Sequence, residues 1–297
     1  RRHGARRDGP DGISGRAAVE KLGIAKYNAE CRSIVLRYAA EWEKTVERIG
    51  RWVDFKNDYK TMDASFMESV WWIFKQLWDQ GLIYKGYRVM PYSTAVATPL
   101  SNFEAGSNYK EVQDPAITII FKILNDSTTS FLAWTTTPWT LPSNLALAVG
   151  PDIDYVKIHS KKADHNFILA EARLPHYFKD EKDYEVLDRF KGTKLFGKEY
   201  EPLFDYFKDE RKNGAFKVLA AEFVTTEDGT GIVHVAPAFG EDDFNVCQKQ
   251  GIPLVMPVDD DGNFTSQVPD YAGRYVKDTD KDIIARLKAE HKLFKHE

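Results

Sequence analysis

The chain is 297 residues long, 43% hydrophobic, with 7 Trp, 14 Tyr and 18 Phe and a formal net charge of −4. That length and aromatic content fit one or two folded domains and exclude a disordered chain. No run of about 18 apolar residues is present to span a bilayer, and the acidic balance argues against coating nucleic acid by bulk electrostatics.

The opening "RRHGARRDGPDGISG" is too polar for the apolar core of a signal peptide. Cys31 and Cys247 lie far apart and match no metal-ligand spacing, so the expectation is a cytoplasmic protein with free thiols and no structural zinc. From Arg16 to Ile49, the residues Tyr27, Cys31, Ile34, Tyr38, Trp42, Val46 and Ile49 recur at steps of three and four, the face of one long helix. A second helix is predicted from Met62 to Gln80, with Ser65 and Glu68 at capping-box spacing and Gly81 as its stop.

After Pro91 the pattern changes. "AITIIFKIL" and "SFLAWTT" read as strands around a turn at Asn125 and Asp126, and further strand-like runs follow at "LALAV", "YVKIH", "NFILAEA", "YEVLDRF", "FKVLAAEFV" and "GIVHVAPA". Short strands with turns and no helices between them predict an antiparallel β-barrel within a mixed α and β protein. One helix is expected inside this region, opening at Gly240 in "GEDDFNVCQKQG", and the charged stretch from Asp278 to Glu297 reads as helical again. The predicted organisation is a helical connecting region over 1–106, a β-barrel over 107–277 and a helical connector over 278–297. Between Arg189 and Lys217, eight bases and five acids alternate with Phe190, Phe196, Tyr200, Phe204, Tyr206, Phe207 and Phe216. Such a stretch suits a polyanion backbone with a stacked base, and equally an ordinary solvated sheet with core aromatics.

Two stretches carry the candidate chemistry. In "WTTTPWTLPSN", three threonines run into Pro138, which forces the preceding residue out of the helical region, so a strand ends in a loop bearing Thr135, Thr136, Thr137, Thr140 and Asn144. In "GTGIVHVAPAFGEDDF", Gly229 and Gly231 lack the third glycine of a dinucleotide fingerprint and precede a strand rather than a helix. What remains is a strand ending at His234, a turn at Pro237 and a helix whose first turn holds Glu241, Asp242 and Asp243. Acidic residues there ordinarily complement the helix dipole, and a lone histidine is ordinarily a packed one. No G-x-S-x-G elbow, H-E-x-x-H or nucleophilic cysteine context is present.

Both stretches resemble the editing motifs of isoleucyl-tRNA synthetases, class I enzymes with an editing domain inserted as a connective peptide. "RWVDFKNDYKTMD", "FMESVWWIFKQLWDQGLIYKGYRVMPYSTAVATPLSNFEA", "NYKEVQDP" and "YEPLF" resemble the eukaryotic cytoplasmic form, and the likeness runs from about Lys21 to Tyr275. Related valyl and leucyl enzymes usually carry an arginine where this chain has Thr137-Pro138-Trp139. The first fifteen residues do not resemble the family. Both ATP-site signatures of the class, His-x-Gly-His and Lys-Met-Ser-Lys-Ser, are absent, so no amino-acid activation is expected of this chain.

The resemblance implies hydrolysis of valine from isoleucine tRNA. For isoleucyl-tRNA synthetases themselves, discrimination against valine at the synthetic site is known to stop at about 150-fold, which makes a second sieve necessary. It also implies that Asp243 meets the substrate's α-ammonium group, that Asp242 is its helix-capping neighbour, and that His234 limits the amino-acid pocket. Thr135, Thr136, Thr137, Thr140 and Asn144, with Trp139 and Gly231 beside them, would hold the adenosine, the ester carbonyl and the attacking water. The implied partners are the 3′ end of isoleucine tRNA, valine and valyl-adenylate analogues, and the catalytic core of the parent synthetase. No cofactor or metal is implied, since ATP and magnesium serve the synthetic core, and no membrane is involved. A tRNA-binding module without hydrolysis, and an insertion that only docks on the core, remain the alternative readings.

Overall fold

The computed structural model describes residues 16–107 and 109–296. The chain divides into two compact units between Tyr87 and Arg88. The first is helical: α1 (Arg16–Leu22), α2 (Ile24–Arg48) and α3 (Ala64–Asp79). The long helix expected from Arg16 is broken at Gly23, whose φ of 92° suits a residue without a side chain. The stop of α3 at Gly81, φ 70°, is as expected. Its start is not, because Asp63 occupies the N-cap and Ser65 lies inside the helix. A true capping box stands elsewhere, at Ser101 and Glu104, heading the short helix α4 (Asn102–Ala105).

The second unit holds β1 (Tyr92–Ser93) and β2 (Thr98–Pro99), a small hairpin, and then a large sheet. Its strands are β3 (Ile117–Ile123), β4 (Asp126–Thr135), β5 (Ala146–Val149), β6 (Asp154–Ser160), β7 (His165–Ala170), β8 (Tyr184–Lys191), β9 (Lys217–Ala220), β10 (Ile232–Val235) and β11 (Leu293–His296). The order is β8-β6-β7-β4-β10-β5-β9, with β3 pairing the remaining edge of β4 and β11 pairing β3. Every strand-like run of the sequence forms a strand here.

The barrel expectation needs correcting in two respects. The sheet is mixed, because β4–β7, β4–β10 and β5–β9 are parallel pairs. The lack of intervening helices suggested hairpins throughout, but the long crossovers that parallel pairs need are supplied by other strands and 3₁₀ turns. The sheet also curls without a strand to close it, since Glu199 and Tyr200 reach β9 and β3 only through single residue pairs. The C-terminal stretch, expected to stay helical, forms α7 (Asp280–Ala289) and then returns as β11 in the sheet.

The curl is filled on one face by Ile117, Ile119, Phe121, Phe131, Ala133, Leu147 and Tyr200. The other face buries Leu132, Val156, Ile158, Phe167 and Leu169 beneath Phe178 and Leu174, the latter opening the short helix α5 (Leu174–Tyr177). Phe131, Leu132 and Ala133 therefore alternate between two apolar layers, which explains why β4 reads as a continuous hydrophobic run. The aromatic residues of the 189–217 stretch largely belong to the first layer: Tyr200, Phe204 and Phe216 are buried, and Phe190, Tyr206 and Phe207 pack against it. Four of its eight bases have ion-pair partners, Arg189 with Glu171, Lys191 with Asp154, and Arg211 and Lys217 with Glu199. The structure thus favours the solvated-sheet reading of that stretch.

Candidate functional site

Strand β10 brings together motifs a hundred residues apart. Val233 pairs in parallel with Trp134 of β4 on one side and antiparallel with Ala148 of β5 on the other. The threonine run therefore ends beside "HVAPA". Past Thr135 the chain turns into a 3₁₀ helix, Pro138–Ser143, with Pro138 at its start where a missing N–H costs nothing. From Gly240 the helix α6 (Glu241–Lys249) opens on the far side of Ala236.

These elements line a cleft of about 330 Å³. Of the expected site residues, Thr135, Thr136, Thr137, Thr140, Gly231, His234 and Asp243 all line it, while Trp139, Asn144 and Asp242 do not. Trp139 lies with its ring edge-on to Phe239, a lining residue, at 4.7 Å between ring centres. Asn144 is buried behind His234, and Asp242 faces solvent. The sequence reading missed Trp134, Phe223, Thr225, Asp228 and Phe239. The "FVTTEDG" stretch that supplies three of them carried a signal, a second threonine pair leading into a glycine turn.

A chain of hydrogen bonds fixes the ring of His234. The Tyr200 hydroxyl donates to Asn144 Oδ1 at 2.7 Å, which orients the amide so that Nδ2 donates to the Ala146 carbonyl at 2.9 Å and meets His234 Nδ1 at 2.8 Å. His234 Nδ1 is therefore the acceptor and the ring proton sits on Nε2, which donates to Thr140 Oγ1 at 2.9 Å. Thr140 passes its own proton to the Thr137 carbonyl at 2.8 Å. Burial pushes the imidazole down to about 3, so the ring is neutral with both nitrogens occupied. It is a wall and an anchor, not a proton shuttle.

The remaining hydroxyls form a short row. Thr137 Oγ1 lies 3.3 Å from Thr140 Oγ1 and 3.2 Å from Thr135 Oγ1, which also accepts the Thr137 N–H. Thr136 is exposed in the cleft. Opposite in chemistry stands Asp243, the third residue of α6, whose Oδ2 accepts the Ala236 N–H at 2.8 Å. Burial, with a smaller contribution from Asp242, raises this carboxyl to about 6 against the pull of that N–H. A Cβ on Gly240 would stand 3.0 Å from Asp243 Cγ, so the bare glycine is what seats the carboxylate. Cys247, one turn further along α6, is buried and its thiol is pushed up to about 12, which removes it as a nucleophile.

Gly231 contributes shape rather than contact. Its φ is 75° and a Cβ there would fall 2.4 Å from that of Ala170, while its carbonyl accepts the Tyr155 hydroxyl at 2.6 Å. Among the described residues no group of three or more His, Cys, Asp or Glu side chains converges as a metal site. The cleft can therefore hold a cation against a carboxylate, a polar group against hydroxyls, and an apolar body against Phe223, Phe239 and the neutral imidazole ring.

The family model described as tRNA synthetases class I (I, L, M and V) matches residues 11–285, and the chain belongs to that family. Its relatives within it include isoleucine–tRNA ligases: one from Bdellovibrio bacteriovorus is 59% identical over 286 residues, 96% of this chain and 27% of that protein. The cytoplasmic isoleucine–tRNA ligase of Mus musculus is 57% identical over 288 residues, 95% of this chain and 23% of that protein. The chain thus spans about a quarter of the length of these relatives. A bacterial relative is as similar as the mouse one, so the likeness is not confined to the eukaryotic form, and the family match begins inside the first fifteen residues, which lie outside the described structure.

Among solved structures, the P. falciparum cytosolic leucyl-tRNA synthetase editing domain aligns with a TM-score of 0.49 at 12% identity, covering 62% of this chain and all of that one. GlLeuRS-CP1 aligns with a TM-score of 0.45 at 17% identity, covering 60% of this chain and 97% of that one.

Proposed function

We propose that this chain is the editing portion of an isoleucine–tRNA ligase, and that it hydrolyses the ester joining valine to the 3′ end of isoleucine tRNA. The observation that carries this reading is a cleft that pairs a carboxylate, Asp243, with a row of threonine hydroxyls while offering no thiol and no free imidazole nitrogen to activate a hydroxyl. Such a site suits an ammonium-bearing ester attacked by water. Asp243 holds the α-ammonium group. Thr135, Thr136 and Thr137 hold the terminal adenosine and the developing oxyanion, since a hydroxyl both donates and accepts. The ring of His234 closes the amino-acid pocket so that valine enters and isoleucine does not.

In the reaction water adds to the ester carbonyl, the acyl carbon–oxygen bond breaks, the tRNA recovers its ribose hydroxyl, and valine leaves as a carboxylate with release of one proton. With His234 occupied at both nitrogens, the proton leaves by way of the neighbouring free ribose hydroxyl and solvent. The reaction needs no metal or cofactor; ATP and magnesium belong to aminoacylation by the parent core, which with the tRNA is the partner of this domain in the cytoplasm. Valyl-adenylate analogues offer the same ammonium and side chain and should compete. Incubating the chain with valine-charged and isoleucine-charged isoleucine tRNA tests the reading: loss of the valine ester above the uncatalysed rate, with the isoleucine ester spared, is expected. Binding of the charged tRNA without ester loss would leave a docking module instead.

A further inference from the structure

The 3₁₀ turn Pro138–Ser143, which carries Thr140 and follows directly on Thr137, makes no side-chain cap of its own. A helix start leaves backbone N–H groups without partners, and one of these, the N–H of Trp139, is met from 141 residues away by Asp280 Oδ1 at 2.8 Å. Asp280 is 6% exposed. It is also the first residue of α7, at the positive end of that helix. Its carboxyl is raised from the usual range, by burial first, and Lys277 is held 2.8 Å from Asp114.

A buried carboxylate is costly unless several donors share it. Here the donor is the Trp139 amide, and the charge of Lys277 also favours the ionised form. We infer that Asp280 is a positioning residue: it caps the threonine turn in trans and thereby sets the Thr137 and Thr140 hydroxyls toward the cleft. This rests on the proposed hydrolysis for its functional consequence, although the cap itself does not. Asp280 does not line the cleft and touches no substrate in this account. Its loss should therefore act on the rate of ester cleavage rather than on substrate affinity. The C-terminal segment, whose β11 pairs β3, then serves as the second support of the catalytic loop, the first being β4 itself.

Two variants and two readouts decide it. In Asp280→Ala the Trp139 amide loses its acceptor. Its hydrogen exchange should accelerate about tenfold or more, and kcat for valine-ester release should fall by about tenfold or more with KM within about twofold, in line with a charge-assisted hydrogen bond. Asp280→Asn keeps an acceptor oxygen at the same reach and should restore both readouts to within about threefold. A folded Asp280→Ala variant with unchanged Trp139 exchange, or unchanged kcat, would overturn the assignment. Should Asp280→Ala not fold, Asp280→Asn decides alone: wild-type exchange together with a kcat lowered more than tenfold would show that the charge and not the cap matters, and the proposal falls. Absence of ester release by the unaltered chain would sink the proposed function, and the Trp139 exchange would still decide the cap.

Discussion

Both ring nitrogens of His234 are engaged, Nδ1 by Asn144 and Nε2 by Thr140, and this separates its possible roles. A general base would need one nitrogen facing the reacting water. As a pocket wall it needs only to stay in place, and five linked hydrogen bonds keep it there. His234→Ala should open room for about one methylene, worth roughly 1 to 3 kcal/mol of discrimination, so the variant should begin to release isoleucine from correctly charged tRNA. An unchanged preference for valine, in a variant shown by thermal melt to be folded, would remove the sieve role. Asp243 makes a different prediction. Its carboxyl is raised to about 6 from an ordinary value near 3.8, so the stability this group contributes is fully present below about pH 3.8 and lost as pH rises through about 6. Asp243→Asn keeps the acceptor for Ala236 and sheds the charge. The variant should melt higher than the wild type at pH 7, by roughly 1 to 3 kcal/mol, with the gap closing below pH 4, and yet lose ester cleavage. In the wild type, cleavage should weaken as pH falls through about 6, where the carboxylate takes up its proton.

At the scale of elements, the site depends on two backbone junctions where glycine is required. Gly240→Ala would bring a methyl to 3.0 Å from the Asp243 carboxyl carbon and 3.2 Å from both oxygens, so it should depress cleavage several-fold while leaving the melting temperature nearly unchanged. Gly231→Ala meets Ala170 at 2.4 Å with a φ of 75°, and should destabilise the fold by about 2 kcal/mol or more, visible in denaturant unfolding. These two junctions also mark how far the sequence could be read. Alternation and turn residues disclosed every strand of the sheet except β11, which lies in a charged stretch that read as helical, and the proline after the threonines disclosed where β4 ends. Strand direction was not legible, because β10 joins β4 in parallel through pairings that no local pattern encodes. Nor was the purpose of Asn144: it stood beside the threonines in sequence, but its partners are Tyr200, Ala146 and His234, brought to it only by the folded sheet. The "YEPLF" motif gave a family likeness without revealing that its tyrosine anchors that network. Tyr200→Phe should therefore cost about 1 to 3 kcal/mol, since it strands Asn144 Oδ1 in the core.

For the molecule as a whole, the curled sheet acts as a frame that gathers β4, β10, the 3₁₀ turn and α6 around one cleft, and the chemistry comes from the ends of those elements. The helical unit before Arg88 has a different character. None of the side chains of α3 is buried, and Trp71 and Trp72 are 75% and 63% exposed. The second unit carries the proposed chemistry: its cleft cleaves the valine ester and holds that substrate through Asp243. Its most direct test is the single-turnover rate of ester loss from valine-charged and isoleucine-charged isoleucine tRNA, measured at pH 7.5 for the wild-type chain and for Asp243→Asn. The wild type should release valine faster than the uncatalysed rate and faster than isoleucine, and Asp243→Asn, though folded, should fall back by about 2 to 5 kcal/mol in activation free energy, toward the uncatalysed rate. Equal release of valine by the two proteins, or none by the wild type, would contradict it.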